Sequence, residues 1–426
     1  MDIRLIQRRH LALFLCVVLI TALIYSPFLL SASMIGLAVL FTFSWHWDKP
    51  GWIRFNPHFF DYFRRFFSSK VHLAVTLSFF LVFLSGYLTE DYAYWMERLR
   101  LKVPFLVLPI IFCGLPSFTR REYFGLLYFL VGALVVTCIG IGFNYLLNFE
   151  AINLLLKQGQ PMPTPRNHIR FSLLLALGIL AGFYLWRAGY YLKYAWERKV
   201  LIAAVAFLFF FIHLLSVRSG LAVLYLSILV LAVRYVYLTG RYWVAMGTGL
   251  ALATIPVMAY FTIPSFQSKM AYVKHEIWVQ RHDMPDGNYS DAGRLASLKI
   301  GMEIGNEHPL FGVGAGNLRQ EVRYRYAEKY PKVNEPKMPH NQFVSVYAGM
   351  GITGLLLFLF AFLYPLIHQH NYRDPLFLSF HVIVICSFMA ENTIENSIGV
   401  AFYLFFLLLG LNYLAGVAAG RTGSWY

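Results

Sequence analysis

"MPHNQFVSVYAGMGITGLLLFLFAFLYPLI", residues 338–367, sets a histidine and two amides against an apolar run that continues to Ile367. Crossing the ~30 Å hydrocarbon core of a bilayer takes roughly 20 apolar residues in helical form. Residues 341–367 meet that length, and similar windows recur near 11–26, 28–45, 71–88, 103–117, 123–143, 169–187, 199–216, 219–238, 242–263, 375–391 and 394–416. With 58% hydrophobic and 13% charged residues among 426, and a mean hydropathy of +0.57, the chain holds too few charges for a water-soluble globule. The sequence predicts an all-α polytopic membrane protein with about 12 transmembrane helices. Helices 1–9 with short loops occupy residues 1–263, a large external helical loop residues 264–340, and helices 10–12 with a cytoplasmic C-terminus residues 341–426.

Orientation follows from lysine and arginine in the short loops. One set, comprising the N-terminal segment, residues 46–70, 119–122 and 187–199, with Arg234, Arg241, Arg373 and Arg421, holds 18 such residues. The alternate set, Arg98, Arg100, Lys102, Lys157, Arg166, Arg170 and Arg218, holds seven. Both termini are therefore expected on the cytoplasmic side and residues 264–340 outside. The 11 cations of that long loop do not count, because long loops cross regardless of charge. Most of the formal +15 then faces anionic membrane lipid. Nucleic acid is not an expected partner, since no soluble basic domain is present.

Cys16, Cys113, Cys138 and Cys386 all fall inside expected spans, without the Cys or His spacing of a metal site. No metal or other cofactor is expected. The first span lacks a small-residue cleavage site and is read as a retained helix.

Two external segments carry the chemistry. "KQGQPMPTPRNHIR", residues 157–170, has three prolines at alternate positions, which forbid helix and lead an extended path into Arg166, His168 and Arg170. In residues 264–340, "DAGRLASLKIGMEIGNE" (291–307) reads as a helix starting from an Asp cap. Gly312, Gly314 and Gly316 read as a tight turn into a second, basic helix from about Asn317. Tyr324 and Tyr326, beside Arg323 and Arg325, offer rings for stacking on sugars. Gly351 and Gly354, one turn apart, read as small residues for close helix packing.

Arg218, in "HLLSVRSGLAVL" (213–224), stands in a connection of only a few residues between two apolar runs. A cation at that depth calls for a carboxylate or a phosphate. Glu391 and Glu395, in "SFMAENTIENSIG" (387–399), lie four residues apart where one span turns into the next. The ordinary use of each is a solvated helix cap, and that of a lone His340 is an interfacial polar residue. Together with Arg294, Arg170, Arg166 and His168, however, they map to one membrane face under an orientation assigned without them. Such a set suits a diphosphate ester emerging from the bilayer. Guanidinium groups neutralise departing phosphates, and a histidine steadied by a carboxylate takes a proton from an incoming hydroxyl.

These residues resemble the bacterial O-antigen ligases, with the related O-antigen polymerases and protein O-oligosaccharyltransferases. His340-Asn341, then residues 342–350, then Gly351 and Gly354 are similar to the ligase pattern of a histidine and an amide, nine residues and Gly-x-x-Gly. "GRLASLKIGMEIGNEHPLFGVGAGN" (293–317) is similar to the family's loop, and "SVRSG" (216–220) to its Ser-x-Arg turn. The likeness covers about residues 160 to 400.

The resemblance implies a glycosyltransferase of GT-C-like architecture in the bacterial inner membrane. It would move a glycan from undecaprenyl diphosphate to an acceptor hydroxyl on the periplasmic side, without a metal and with inversion. His340 would be the base, and Glu391 would stand where ligases place its acidic partner, with Glu395 an open alternative. Arg218 and Arg294 would hold the diphosphate. Arg170 is added to them from its position, and Arg166, His168 and Asn341 are candidate substrate-binding residues. Lipid A core is the acceptor expected of a ligase; a polymerase would use another carrier-linked repeat. A transporter of lipid-linked sugars is the alternative of a different class. Paired halves with matching broken helices would mark it, and the sequence shows neither.

Overall fold

The computed structural model describes residues 3–45, 53–281, 290–331, 333 and 335–420. Of the residues used above, Lys49 and Arg421 and the capping side chain of Asp291 lie outside the described residues. The described residues are 82% helical. In order the elements are α1 (Ile3–Tyr25), α2 (Pro27–Thr42), strands β1 (Phe43–Trp45) and β2 (Ile53–Phe55), α3 (Phe59–Ser68), α4 (Lys70–Leu84), α5 (Tyr92–Gly114) and α6 (Arg120–Leu147). There follow α7 (Phe149–Lys157), α8 (His168–Arg187), α9 (Glu197–Leu215), α10 (Arg218–Thr239), α11 (Tyr242–Thr262) and α12 (Pro264–Arg281). The last five are α13 (Ser290–Glu307), α14 (Leu318–Lys329), α15 (Gln342–Ile367), α16 (Pro375–Ala390) and α17 (Ser397–Ala418). The only sheet among the described residues is the antiparallel β1–β2 ribbon.

Every segment expected to span falls on a helix. Among the described residues nine helices are long and apolar enough to cross a membrane, while α2 and α16 are apolar but shorter. The remaining one, α5, places Glu97, Arg98, Arg100 and Lys102 in its first half, so only its second half is continuously apolar. The break expected at Ser26-Pro27 is present. Pro27 lacks the N–H a continuous helix needs, and Ser26, in extended conformation, accepts a hydrogen bond from Leu29 N as the cap of α2.

The chain forms two compact units. The first comprises residues 1–126, 293–373 and 388–426; the second residues 127–292 and 374–387. Residues 264–340 are thus shared, with α12 in the second unit and α13 and α14 in the first.

In the first unit, α5 packs against α2, α3, α4 and α17, and α4 against α15. Helix α17 is buried over 83% of its span, as its apolar circumference requires. Outside the spans, Ile300 and Ile304 of α13 and Leu318, Val322 and Tyr326 of α14 close a small core over Ala348 of α15. Tyr326 is therefore a core residue and not a sugar platform, and Arg325 is committed to Glu307.

Helix α15 does not run straight. Gly351 adopts φ 65° and ψ −168°, which breaks the helix. The 309–314 loop enters the break: Val313 N donates to Ala348 O (3.1 Å), Gly314 N to Gly349 O (2.9 Å), and Ile352 N to Pro309 O (2.8 Å). A Cβ on Gly351 would lie 2.3 Å from the Leu310 carbonyl, and one on Gly312 2.3 Å from Met350 N. The expectation that Gly351 and Gly354 serve helix packing is corrected on this point. Gly351 opens the backbone so that the loop glycines dock into it, and Gly354 fits against Met350 of its own helix.

In the second unit, α8 packs against α9 and α10, and α12 against α7. Lys269 of α12 donates to the Gly159 carbonyl (2.8 Å), pinning the start of the proline-rich path.

Candidate active site

Each side chain of the candidate site in the first unit is delivered by a helix end. Asn341 caps α15, its Oδ1 accepting from Phe343 N (2.9 Å) and Val344 N (3.1 Å), while its Nδ2 donates to Met389 O (3.1 Å). Both functions of the amide are thus engaged in holding the start of α15 beside the end of α16. His340 immediately precedes the cap. Its backbone N–H donates to Ser297 Oγ (3.2 Å), and Ser297 Oγ donates to Arg294 O one turn back on α13 (2.7 Å). Ser297 so registers the histidine against the helix that carries Arg294.

Glu391 follows the end of α16 and sits between the other two. Its Oε1 accepts from Arg294 Nη2 at 3.1 Å, and its Oε2 lies 3.7 Å from His340 Nδ1. The carboxylate is 11% exposed and the imidazole 24% exposed, so the pair is shielded but reachable. At 3.7 Å the imidazole and carboxylate face each other without a hydrogen bond, a separation that catalytic pairs commonly show before substrate binds.

Glu395 goes elsewhere. The two glutamates diverge because residues 393–395 form a single 3-10 turn instead of continuing α16. Glu395 Oε1 accepts from Lys102 Nζ (2.7 Å) and Gln342 Nε2 (2.9 Å), and Arg98 Nη1 lies 3.6 Å from Oε2. Gln342 Oε1 accepts from Ile394 N (3.2 Å), and Lys102 Nζ also donates to Ile394 O (2.7 Å). Burial pushes the Glu395 carboxyl up, but Lys102, Gln342 and Arg98 outweigh it and hold it below the usual carboxylate range. This network straps the first turn of α15 to the 391–396 turn, and so sets the His340–Glu391 spacing. Lys102, counted above among loop cations, is inside α5 with its side chain 3% exposed.

Ser297, Gln342, Arg98 and Lys102 were not legible as site-supporting residues. The only signals were the second amide beside His340 and the unusual charge of the first half of α5.

The second unit holds Arg166, His168, Arg170 and Arg218. Asn167 caps α8, its Oδ1 accepting from Ile169 N (3.0 Å) and Arg170 N (3.1 Å), so His168 and Arg170 occupy the first turn. Arg218 opens α10, two residues after Ser216, whose left-handed φ of 54° makes the tight turn from α9. A Cβ on Gly220 would fall 2.4 Å from Ser172 Cβ. That close approach brings the N-terminal ends of α8 and α10 together, with Arg170 and Arg218 each two residues before it. Cations there oppose the helix dipoles, and an anion would relieve both.

Among the described residues no group of three or more His, Cys, Asp or Glu side chains gathers as a metal site. Residues 202–359 match the family model described as O-antigen ligase. That stretch is similar to the O-antigen ligase family. The match includes Arg218, Arg294 and His340 and stops short of Glu391. Members of that family are membrane glycosyltransferase-like enzymes of the ligase and polymerase type. No curated protein matches the chain.

Proposed function

We propose that this protein transfers a glycan from undecaprenyl diphosphate to an acceptor hydroxyl at the periplasmic face of the bacterial inner membrane. The acceptor of choice is lipid A core. The observation that carries the reading is the Arg294–Glu391–His340 cluster, in which a carboxylate held by a guanidinium faces one imidazole nitrogen.

In the proposed reaction His340 Nε2 takes the acceptor hydroxyl's proton. The oxygen attacks the anomeric carbon, the bond from that carbon to the diphosphate oxygen breaks, and its electron pair leaves with undecaprenyl diphosphate. Attack opposite the leaving group inverts the centre. Glu391 stabilises the imidazolium through Nδ1, and guanidinium groups offset the charge growing on the diphosphate, which requires no metal.

Arg294 is one of those cations. Arg170 and Arg218 are assigned to the diphosphate, and Arg166 and His168 to diphosphate or sugar, from topology: the lysine and arginine distribution assigns them to the periplasmic side, as it does His340. Asn341 is assigned to shaping the site through its cap.

The test is reconstitution of purified protein with carrier-linked donor and lipid A core. His340→Ala is expected to lower turnover by about 10²–10⁴-fold, the range for loss of a general base. Product on lipid A core marks a ligase, and a carrier-linked product of doubled length marks a polymerase. Undiminished transfer by His340→Ala, or labelling that reaches positions 340 and 218 from opposite sides of the bilayer, would overturn the reading.

A further inference from the structure

Helix α3 presents three faces. Tyr62 and Phe66 are buried against the first unit. Phe60 and Phe67, seven residues apart and so on one side of the helix, are 75% and 67% exposed. Between those faces Arg64, Arg65 and Ser68 line an open cavity, completed by Lys70 at the start of α4 and by Gln369 beyond α15. The cavity's carboxylate, Asp61, is engaged by His58 Nδ1 at 3.3 Å. Among the described residues no carboxylate pairs with Arg64, Arg65 or Lys70. Gln369 and His370 hold left-handed φ values of 49° and 60°, a conformation disfavoured for such side chains and concentrated at functional sites.

The cavity lies at the far end of the first unit from His340. Helix α4 and the 3-10 turn that follows it run from Lys70 here to Leu88, whose carbonyl accepts from Asn317 Nδ2 (2.9 Å). That path of 19 residues covers ~28 Å as helix, about the thickness of the hydrocarbon core. Three cations without carboxylate partners at the membrane surface call for an anion. The neighbouring exposed phenylalanines make α3 an amphipathic helix lying in the interface, where an anion tethered to acyl chains is at hand.

We propose that this cavity is a headgroup site for an anionic phospholipid. The phosphate is held by Arg64, Arg65 and Lys70, and the acyl chains lie against Phe60 and Phe67. Native mass spectrometry of the delipidated full chain in detergent tests it, with phosphatidylglycerol, phosphatidylcholine and inorganic phosphate as probes. Wild-type protein should retain one phosphatidylglycerol in preference to phosphatidylcholine. The triple variant R64Q/R65Q/K70Q should lose about 100-fold in affinity, at roughly fivefold per surface cation. If that variant unfolds in a thermal scan, R64Q alone should lose about fivefold. The variant F60S/F67S should weaken phosphatidylglycerol binding and leave inorganic phosphate binding unchanged. Equal retention of both phospholipids, or undiminished phosphatidylglycerol binding by the cation variants, would overturn the proposal. Phosphatidylglycerol binding unaffected by F60S/F67S but displaced by inorganic phosphate would assign the site to a free phosphate compound instead.

Discussion

Gly351→Ala should unlock the 309–314 loop from α15 without unfolding the helices. The new Cβ would sit 2.3 Å from the Leu310 carbonyl carbon and oxygen and 2.4 Å from Phe311 N, on a residue at φ 65°; ψ is −168°. That conformation costs a non-glycine residue about 1–3 kcal/mol, and an overpacked methyl costs a further 1–3 kcal/mol. The chain escapes both by expelling the 309–314 loop, at the expense of the backbone hydrogen bonds of Val313, Gly314, Ile352 and Thr353. A net destabilisation of the docked state by about 3–4 kcal/mol corresponds to a rise of roughly 10²–10³-fold in the opening equilibrium. Hydrogen exchange by mass spectrometry reads it directly, because amides protected only by local structure exchange in proportion to opening. Peptides covering 309–316 and 349–353 should lose protection by that factor while α17 keeps its own. Gly132→Ala in α6, where a Cβ meets nothing within 4 Å, is the control and should change neither. Unchanged protection at the four amides in Gly351→Ala would refute the docking argument.

Two further outcomes concern the strap behind the site. Lys102→Met leaves Glu395 without its principal cation, and removing one partner of a buried pair costs about 3–5 kcal/mol; adding Glu395→Gln should recover at least half of that in thermal unfolding in detergent, and additive losses would show that the two do not act as a pair. Because the folded-state pKa of Glu395 is depressed, its stabilisation is complete above the unfolded value of about 4.3 and is lost as pH falls through the lower folded value. Asp91, lowered by the Tyr94 N–H and by Arg319, and Glu307, lowered by Arg325, act in the same direction. Stability should therefore fall on acidification below about pH 4, and Glu395→Gln should flatten that limb; an identical acid limb in the variant would remove Glu395 from the account.

Much of the candidate site could be read along the chain, since arginine, histidine and glutamate are conspicuous in an apolar sequence. His340, Arg294 and Glu391, separated by up to 97 residues, do converge. The sequence could not choose between Glu391 and Glu395, because a spacing of four suggests one helical face only where helix continues. Here the chain leaves helix at Ala390, and the two carboxylates part, one to Arg294 and one to Lys102. Asn341 was conspicuous as a polar side chain near the site, yet its contacts are those of a cap.

Apolar run length and the scarcity of charge determined by themselves that this chain is a bundle of membrane-spanning helices, because hydrocarbon admits only helices and closed barrels, and unbroken apolar runs of this length lack the alternation of a barrel strand. Pro27 and the proline-rich path before Arg166 likewise carry their own instruction, in rings that cannot donate a backbone hydrogen bond. The break in α15 and the strap through Lys102, Gln342 and Glu395 were settled only by tertiary structure. Each depends on atoms distant in sequence meeting within a few ångströms, and a Gly-x-x-Gly or a lone lysine reads the same whether or not such a neighbour arrives.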